Sequence, residues 1–248
     1  MKLIVLLLSI WIIGATRVTW GDTNRVTLYM IGDSTMANKP VMPPNAERGW
    51  GQLMPLYFKE SVRVENAAVN GRTAKSFISE GRWKTVLERL EPGDYVLIQF
   101  GHNDQKDKSP SGGAFGHYPK YLQRYVKETR ERGAIPILAT SIVRRRFDKA
   151  GKFFDTLGDY PKAMRQVAEE LSVPLLELHN RTAEMVERLG PERSSKVYNH
   201  LLPGEYAGQS DALRDDTHLN AFGASRVCDL AVEEIVAKVP ALAAHLKR

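Results

Sequence analysis

The stretch Val26-Thr27-Leu28-Tyr29-Met30-Ile31-Gly32-Asp33-Ser34-Thr35 decides the fold class. Its first six residues form an apolar, β-rich run that stops at a glycine, and small polar side chains follow. Such a run, bounded by a turn signal, reads as a strand. Tyr95-Val96-Leu97-Ile98-Gln99-Phe100 repeats the pattern and ends in Gly101-His102-Asn103-Asp104. Its unbroken apolar character is that of a strand covered on both faces. Val62 to Ala67 alternates as a further strand and leads into Asn70-Gly71-Arg72. Ala134 to Ala139 and Val173 to Leu178 complete a set of five, with Pro136 suited to a strand start or an edge.

Helical stretches separate these strands, over 51–60, 76–90, 118–132, 160–171, 182–189 and 220–238. Glu91-Pro92-Gly93-Asp94 and Gly133 act as stops. Strands alternating with helices predict an α/β fold, a five-stranded parallel sheet with helices on both faces. Ligands of such sheets sit beyond the C-terminal strand ends. The segments containing Ser34, Gly71 and Asn103 all fall at those ends. The chain has 248 residues, 43% of them hydrophobic, and carries no repeat or long linker, which suits one domain over 22–248.

Residues 1–21 read differently. Lys2 precedes an unbroken apolar run from Leu3 to Ile13, followed by small and polar residues through Gly21. A membrane span needs about 20 apolar residues, roughly twice this run. The segment is therefore expected to be a secretory signal peptide. Gly14-Ala15 and Thr19-Trp20-Gly21 both offer cleavage sites. The mature protein is expected to be secreted or periplasmic, without stable membrane insertion. Cys228 is the single cysteine, which excludes an internal disulfide, and its apolar helical surroundings suit a buried inert thiol.

The formal charge is +6, spread as basic and acidic residues interleaved along the chain, with Arg144-Arg145-Arg146 as the exception. A nucleic-acid footprint would need a longer patch with aromatic or motif support, so no nucleic-acid partner is expected. Attraction to an acidic polymer is the milder expectation.

Ser34 follows Gly32-Asp33 at a strand end, where a tight turn can lift its hydroxyl clear of the sheet edge. A serine hydroxyl needs a base within about 3 Å to become a nucleophile. His218 is the expected base, because among the six histidines it alone has an acid three residues earlier and a long helix after it. Asp215 is expected to hold the imidazole by Nδ1 while Nε2 faces the serine. Asp216 is the competing orienter. The oxyanion would be received by the Ser34 N–H, the Gly71 N–H and the Asn103 amide, and losing one such donor costs about 10²–10³ in rate. Each motif taken singly also has a structural reading. Ser34 could cap a helix, Asp215, Asp216 or Thr217 in a surface loop could cap the helix that follows, Asn70-Gly71 could be a plain turn, and Asn103 could bond within its own loop. His102 and Asp104 are expected to shape that loop rather than react. No cofactor and no metal are expected.

With these residues in view, the chain resembles the SGNH (GDSL-type) hydrolase superfamily, whose four named residues Ser, Gly, Asn and His correspond in order to Ser34, Gly71, Asn103 and His218. Asp215 corresponds to the acid of its Asp-x-x-His block. Within it the chain is similar to rhamnogalacturonan acetylesterases. That likeness runs through Gly32-Asp33-Ser34-Thr35-Met36-Ala37, Gly49-Trp50-Gly51, Asn70-Gly71-Arg72-Thr73, Gly101-His102-Asn103-Asp104, Arg144-Arg145-Arg146-Phe147, Gly158-Asp159-Tyr160-Pro161 and Asp216-Thr217-His218-Leu219-Asn220. The resemblance implies a three-layer α/β/α flavodoxin-like sandwich and removal of acetyl groups from an acidic pectic polysaccharide. Thr35, where the broader signature has leucine, favours the acetylesterase branch over lipase-like members. Arg72 and the Arg144–Arg146 run, Arg144 first, are candidates to contact sugar carboxylates, with a solvated loop paired to nearby acids as the equal alternative, and Trp50 is a candidate to stack on a sugar ring, although a tryptophan at the core edge is the commoner case.

Rival readings are an esterase for another acetylated glycan, such as xylan or sialic acid, or for a small ester, a metal-dependent phosphoesterase, and a glycan-binding module. Gly-His-Asn-Asp lacks the His-rich motifs of two-metal phosphoesterases. Binding alone would not need a serine–histidine pair.

Overall fold

The computed structural model describes residues 25–42, 45–207 and 209–247. The expected signal peptide lies outside these residues. The five strands are β1 (Val26–Gly32), β2 (Val62–Asn66), β3 (Tyr95–Gln99), β4 (Ile135–Ala139) and β5 (Leu175–Leu176). They form one parallel sheet in the order β2-β1-β3-β4-β5.

Successive strand residues point to opposite faces, and the sheet accordingly has two cores. Leu28, Met30, Leu97 and Ile137 pack on one side with Val227, Ala231 and Ile235 of α7 (Ala221–Lys238) and Met185 of α6 (Leu178–Arg193). Tyr29, Ile31, Val96 and Ile98 pack on the other with Phe77 of α2 (Ala74–Ser79), Trp83 of α3 (Arg82–Leu87), Leu122 and Tyr125 of α4 (Tyr118–Glu131) and Met164 of α5 (Tyr160–Glu170). Burying each such side chain is worth about 1.5–3 kcal/mol, so the sheet centre is the rigid floor of the molecule. The result is the expected three-layer sandwich.

Several elements differ from expectation for local reasons. The helix expected over 76–90 is two helices, α2 and α3, broken at Gly81, whose φ of 74° is left-handed. The helix expected over 51–60 is one α-turn, α1 (Trp50–Leu53), continued as a 3₁₀ turn over Met54–Tyr57 that admits Pro55. Pro136 is the second residue of β4, near the strand start as expected, and inside the sheet rather than at an edge. It is tolerated because β5 pairs with β4 only from Leu138 onward, leaving no β5 partner beside the proline. Beyond α6, an antiparallel hairpin of β6 (Tyr198–Leu201) and β7 (Leu213–Leu219) stands apart from the main sheet. No strand was expected there. Its β7 carries Asp215 and His218.

Candidate active site

The turn that carries Ser34 is built from the end of β1. Asp33 O accepts from Met36 N and Ala37 N at 3.2 and 3.0 Å, and Asp33 Oδ1 accepts from Thr35 N and Thr35 Oγ1 at 3.0 and 2.8 Å. Behind it runs a buried relay: Trp50 Nε1 donates to Gln99 Oε1 at 2.8 Å, and Gln99 Nε2 donates to Thr35 Oγ1 at 2.7 Å. Burial pushes the Asp33 carboxyl up, but His102, whose Nδ1 lies 3.6 Å from Oδ2, and the Thr35 donors outweigh it and hold the group below its ordinary range. The turn is thus fixed from its buried side, and half-buried Ser34 stands at its crest.

His218 Nε2 lies 2.8 Å from Ser34 Oγ, and His218 Nδ1 lies 2.7 Å from Asp215 Oδ2. The other oxygen of Asp215 accepts from the backbone N–H groups of Thr217 and His218, at 2.8 and 3.0 Å. Burial pushes this carboxyl up, yet the His218 ring and these N–H donors bring it down to about 2. Asp215 is therefore a fixed anion behind the imidazole.

Asp216 faces the other way, as the next residue on a strand must. Its carboxylate takes Arg145 Nη1 at 2.9 Å and Arg146 Nη1 at 3.0 Å, with His200 Nε2 at 2.8 Å. It pins the hairpin to the loop after β4. Asn220 adds a second fastening, since its Oδ1 caps α7 at Gly223 N (2.9 Å) while its Nδ2 donates to Lys196 O and Tyr198 O.

Gly71, just beyond β2, has φ of +77°, which a side chain would strain. Among the described residues, neither the Ser34 N–H nor the Gly71 N–H is hydrogen-bonded to a protein acceptor. Asn103, beyond β3, is held at both ends of its amide: Oδ1 accepts from Lys106 Nζ at 2.8 Å, and Nδ2 donates to Arg72 O at 3.2 Å. One cavity of about 390 Å³ is lined by Ser34, Gly71, Asn103 and His218, together with Glu47, Asn70, Lys106 and Arg144. That volume is within the range of about 300–1,000 Å³ usual for small-ligand sites. A larger cavity of about 710 Å³ opens beside Asp216, lined by Arg145, His200 and Arg214. It contains neither Ser34 nor His218.

The expected sugar contacts fare unequally. Trp50 is fully buried and spends its N–H on Gln99, so it offers no face to a sugar. Arg72 bonds Glu80 at 2.9 Å and the Asn70 carbonyl at 2.8 Å, and it does not line the cavity. Arg144 does line it. Cys228 is buried, with Sγ donating to Trp50 O at 3.0 Å. Sequence reading missed Lys106, one turn beyond Asn103, and the buried Lys39, whose Nζ bonds Asn70 Oδ1 at 2.6 Å and Glu47 Oε1 at 2.7 Å. The position of Lys106, three residues after an amide in a turn, was the available signal. Lys39 had none.

The model of the GDSL-like Lipase/Acylhydrolase family matches residues 30–226. The chain is 39% identical to the rhamnogalacturonan acetylesterase RhgT of Bacillus subtilis over 85% of this chain and 89% of that one. It is 28% identical to a rhamnogalacturonan acetylesterase of Emericella nidulans, over 87% of each. A crystal structure of the Bacillus subtilis protein YxiM superposes with a TM-score of 0.72 at 28% identity, covering 86% of this chain and 56% of that longer one. The chain belongs to the GDSL-like lipase/acylhydrolase family and is a carboxylic ester hydrolase.

Proposed function

We propose that this chain is a secreted serine esterase that removes O-acetyl groups from a pectic polysaccharide. What carries the reading is the unbroken line from Ser34 Oγ to His218 Nε2 at 2.8 Å and from His218 Nδ1 to Asp215 at 2.7 Å, beside two uncommitted backbone N–H donors. The two relatives named rhamnogalacturonan acetylesterases supply the substrate class. The apolar run Leu3–Ile13 after Lys2 supports secretion, to the periplasm or beyond.

In this mechanism His218 Nε2 takes the Ser34 proton as Oγ bonds to the acetyl carbonyl carbon. The carbonyl electrons move to oxygen, which the Ser34 N–H, the Gly71 N–H and the Asn103 amide receive. The oxyanion collapses, the C–O bond to the sugar breaks, and the imidazolium returns its proton to the departing sugar oxygen. Water, deprotonated by His218, then attacks the acetyl-serine, releasing acetate and restoring Ser34. The Asp215 anion keeps the proton-accepting nitrogen turned to the serine and stabilises the imidazolium.

The test is acetate release from acetylated rhamnogalacturonan and acetylated xylan by the wild type and Ser34→Ala. Release favouring the pectic substrate and falling at least about 10³-fold in the variant is expected. A xylan preference would replace the substrate, and release that survives Ser34→Ala would overturn the mechanism. Loss of residues 1–21 from the exported protein, read by N-terminal sequencing, checks secretion.

A further inference from the structure

Building on that reading, we propose that Lys106 and Arg144 form a carboxylate-binding subsite of the reaction cavity, which takes a uronate carboxylate of the bound glycan.

The cations around the site divide into two groups. Arg72 and Arg82 share Glu80 at 2.9 and 2.6 Å, Arg145 and Arg146 share Asp216, and Lys39 pairs with Glu47 at 2.7 Å. Each of these charges is already answered by an acid. Lys106 and Arg144 differ. Lys106 Nζ rests on the neutral Asn103 Oδ1, while Arg144 Nη1 reaches Thr156 Oγ1 at 3.1 Å and Nη2 reaches His102 O at 3.2 Å. Among the described residues, neither has a carboxylate at ion-pair distance. The acids that act on Arg144 through space are Asp33 and Asp155. Asp33 is committed to Thr35 and His102, and Asp155 lies 3.2 Å from His179 Nε2.

These two unanswered cations line the cavity that contains Ser34 and His218. Arg144 is half-buried, and a partly desolvated guanidinium without a counter-charge is unfavourable until an anion arrives. The carboxylate already in the cavity, Glu47, does not compete, because Lys39 holds it. Both side chains are also anchored in advance, Lys106 on Asn103 and Arg144 on the carbonyl of its neighbour His102. Little ordering is therefore left to the ligand. The Arg144 Nη groups are taken by Thr156 Oγ1, His102 O and the Gln105 side-chain oxygen, which accepts from Nη1 and Nη2 at 2.8 and 3.0 Å. All three are neutral, so the guanidinium brings its charge and its Nε–H to a carboxylate, and the ammonium adds a point charge beside it. A neutral glycan would leave both cations unanswered, so this wall discriminates by charge.

The experiment compares acetylated rhamnogalacturonan oligosaccharides whose uronate carboxyls are free with the same oligosaccharides methyl-esterified. For each, kcat and KM are measured with the wild type, Lys106→Gln, Arg144→Gln and Arg144→Lys. The wild type is expected to favour the free acid, with a preference that weakens as salt is raised. Each Gln variant should reduce the acid-to-ester ratio of kcat/KM by roughly tenfold, mainly through KM, the scale of a charge-assisted hydrogen bond. Arg144→Lys should recover part of it. Equal losses on acid and ester would overturn the subsite and leave Lys106 as a prop for the Asn103 amide. Absence of any acid preference in the wild type would overturn it independently of how the variants fold. Ser34-dependent acetate release from the methyl ester reports on the esterase reading separately, so the two can fail apart.

Discussion

Asp215→Asn isolates the charge behind the imidazole from the turn that holds it. The substituted amide keeps an oxygen to accept from Thr217 N and His218 N, now 2.8 and 3.0 Å from Asp215 Oδ1. The local backbone should therefore survive. What changes is the atom facing His218 Nδ1, currently a carboxylate oxygen at 2.7 Å. An NH₂ there donates, so Nδ1 must accept and the ring proton moves to Nε2, the nitrogen that should take the serine proton. Two losses combine. The carboxyl held at about 2 instead of its ordinary 3.8 corresponds to about 2.5 kcal/mol favouring the anion, shared among the ring and the two N–H donors. Losing the carboxylate also removes the charge that stabilises the imidazolium. The wrong tautomer takes the serine-protease template down by about 10⁴. The expected fall in kcat/KM is thus about 10²–10⁴, smaller than for Ser34→Ala, with a thermal midpoint within a few degrees of wild type. Acetate release and calorimetry on the same preparations provide both numbers. A fall below about tenfold in a folded variant would refute the tautomer reasoning, and a loss equal to that of Ser34→Ala would make the carboxylate more than an orienter. Because the folded carboxyl titrates below the unfolded one, its contribution to stability is complete above about pH 4 and is lost as pH falls towards about 2.

Two further expectations concern the scaffold behind the nucleophile. Thr35→Val keeps the shape but removes a hydroxyl that donates to Asp33 Oδ1 and accepts from Gln99 Nε2, both buried; urea unfolding should show about 2–4 kcal/mol lost, and a change under about 0.5 kcal/mol would sink the relay. Burial pushes the Asp104 carboxyl up to about 7 despite the bond it accepts from Ala74 N at 2.9 Å. The native state then holds a proton that the unfolded chain has already released, so its stability declines as pH rises from about 4 to about 7. Asp104→Asn retains an acceptor for Ala74 and should gain about 1–3 kcal/mol of stability over the wild type as pH rises from 5 to 8, read as a growing difference in thermal midpoint; a difference independent of pH would refute this.

Much of the molecule was legible because the relevant signals are local. An apolar run ending in a glycine marks β1, β3 and their loops without knowledge of anything distant, and Ser34, Gly71 and Asn103 follow from that placement. The hairpin escaped because Leu213-Arg214-Asp215-Asp216-Thr217-His218-Leu219 is mostly polar, and its pairing is held by side chains from far along the chain. The choice between Asp215 and Asp216 depends on the pleat of that strand, and so could not be made before the strand was known. Arg145 and Arg146 find Asp216 some 70 residues away, a distance over which charge patterning carries no address. Trp50 beside glycines could read as a sugar platform as well as the commoner core-edge residue, and the position of Gln99 opposite its N–H shows it to be core.

The hairpin leaves the proposed catalytic parts on two foundations. Ser34, Gly71 and Asn103 stand on three neighbouring strand ends, whereas Asp215 and His218 ride a two-stranded ribbon fastened by Asp216, by Asn220, by the bonds from Arg48 N to Leu219 O and from Arg145 N to Asp216 O, both at 2.8 Å, and by the buried Tyr198 and Leu219. Detaching the ribbon would cost far less than dismantling the sheet. Warming should therefore yield a dormant form before a denatured one, with helical circular dichroism intact and turnover gone. Recovery from that form would be as quick as a hairpin's re-docking, and working life at high temperature would be set by those fastenings rather than by the sheet.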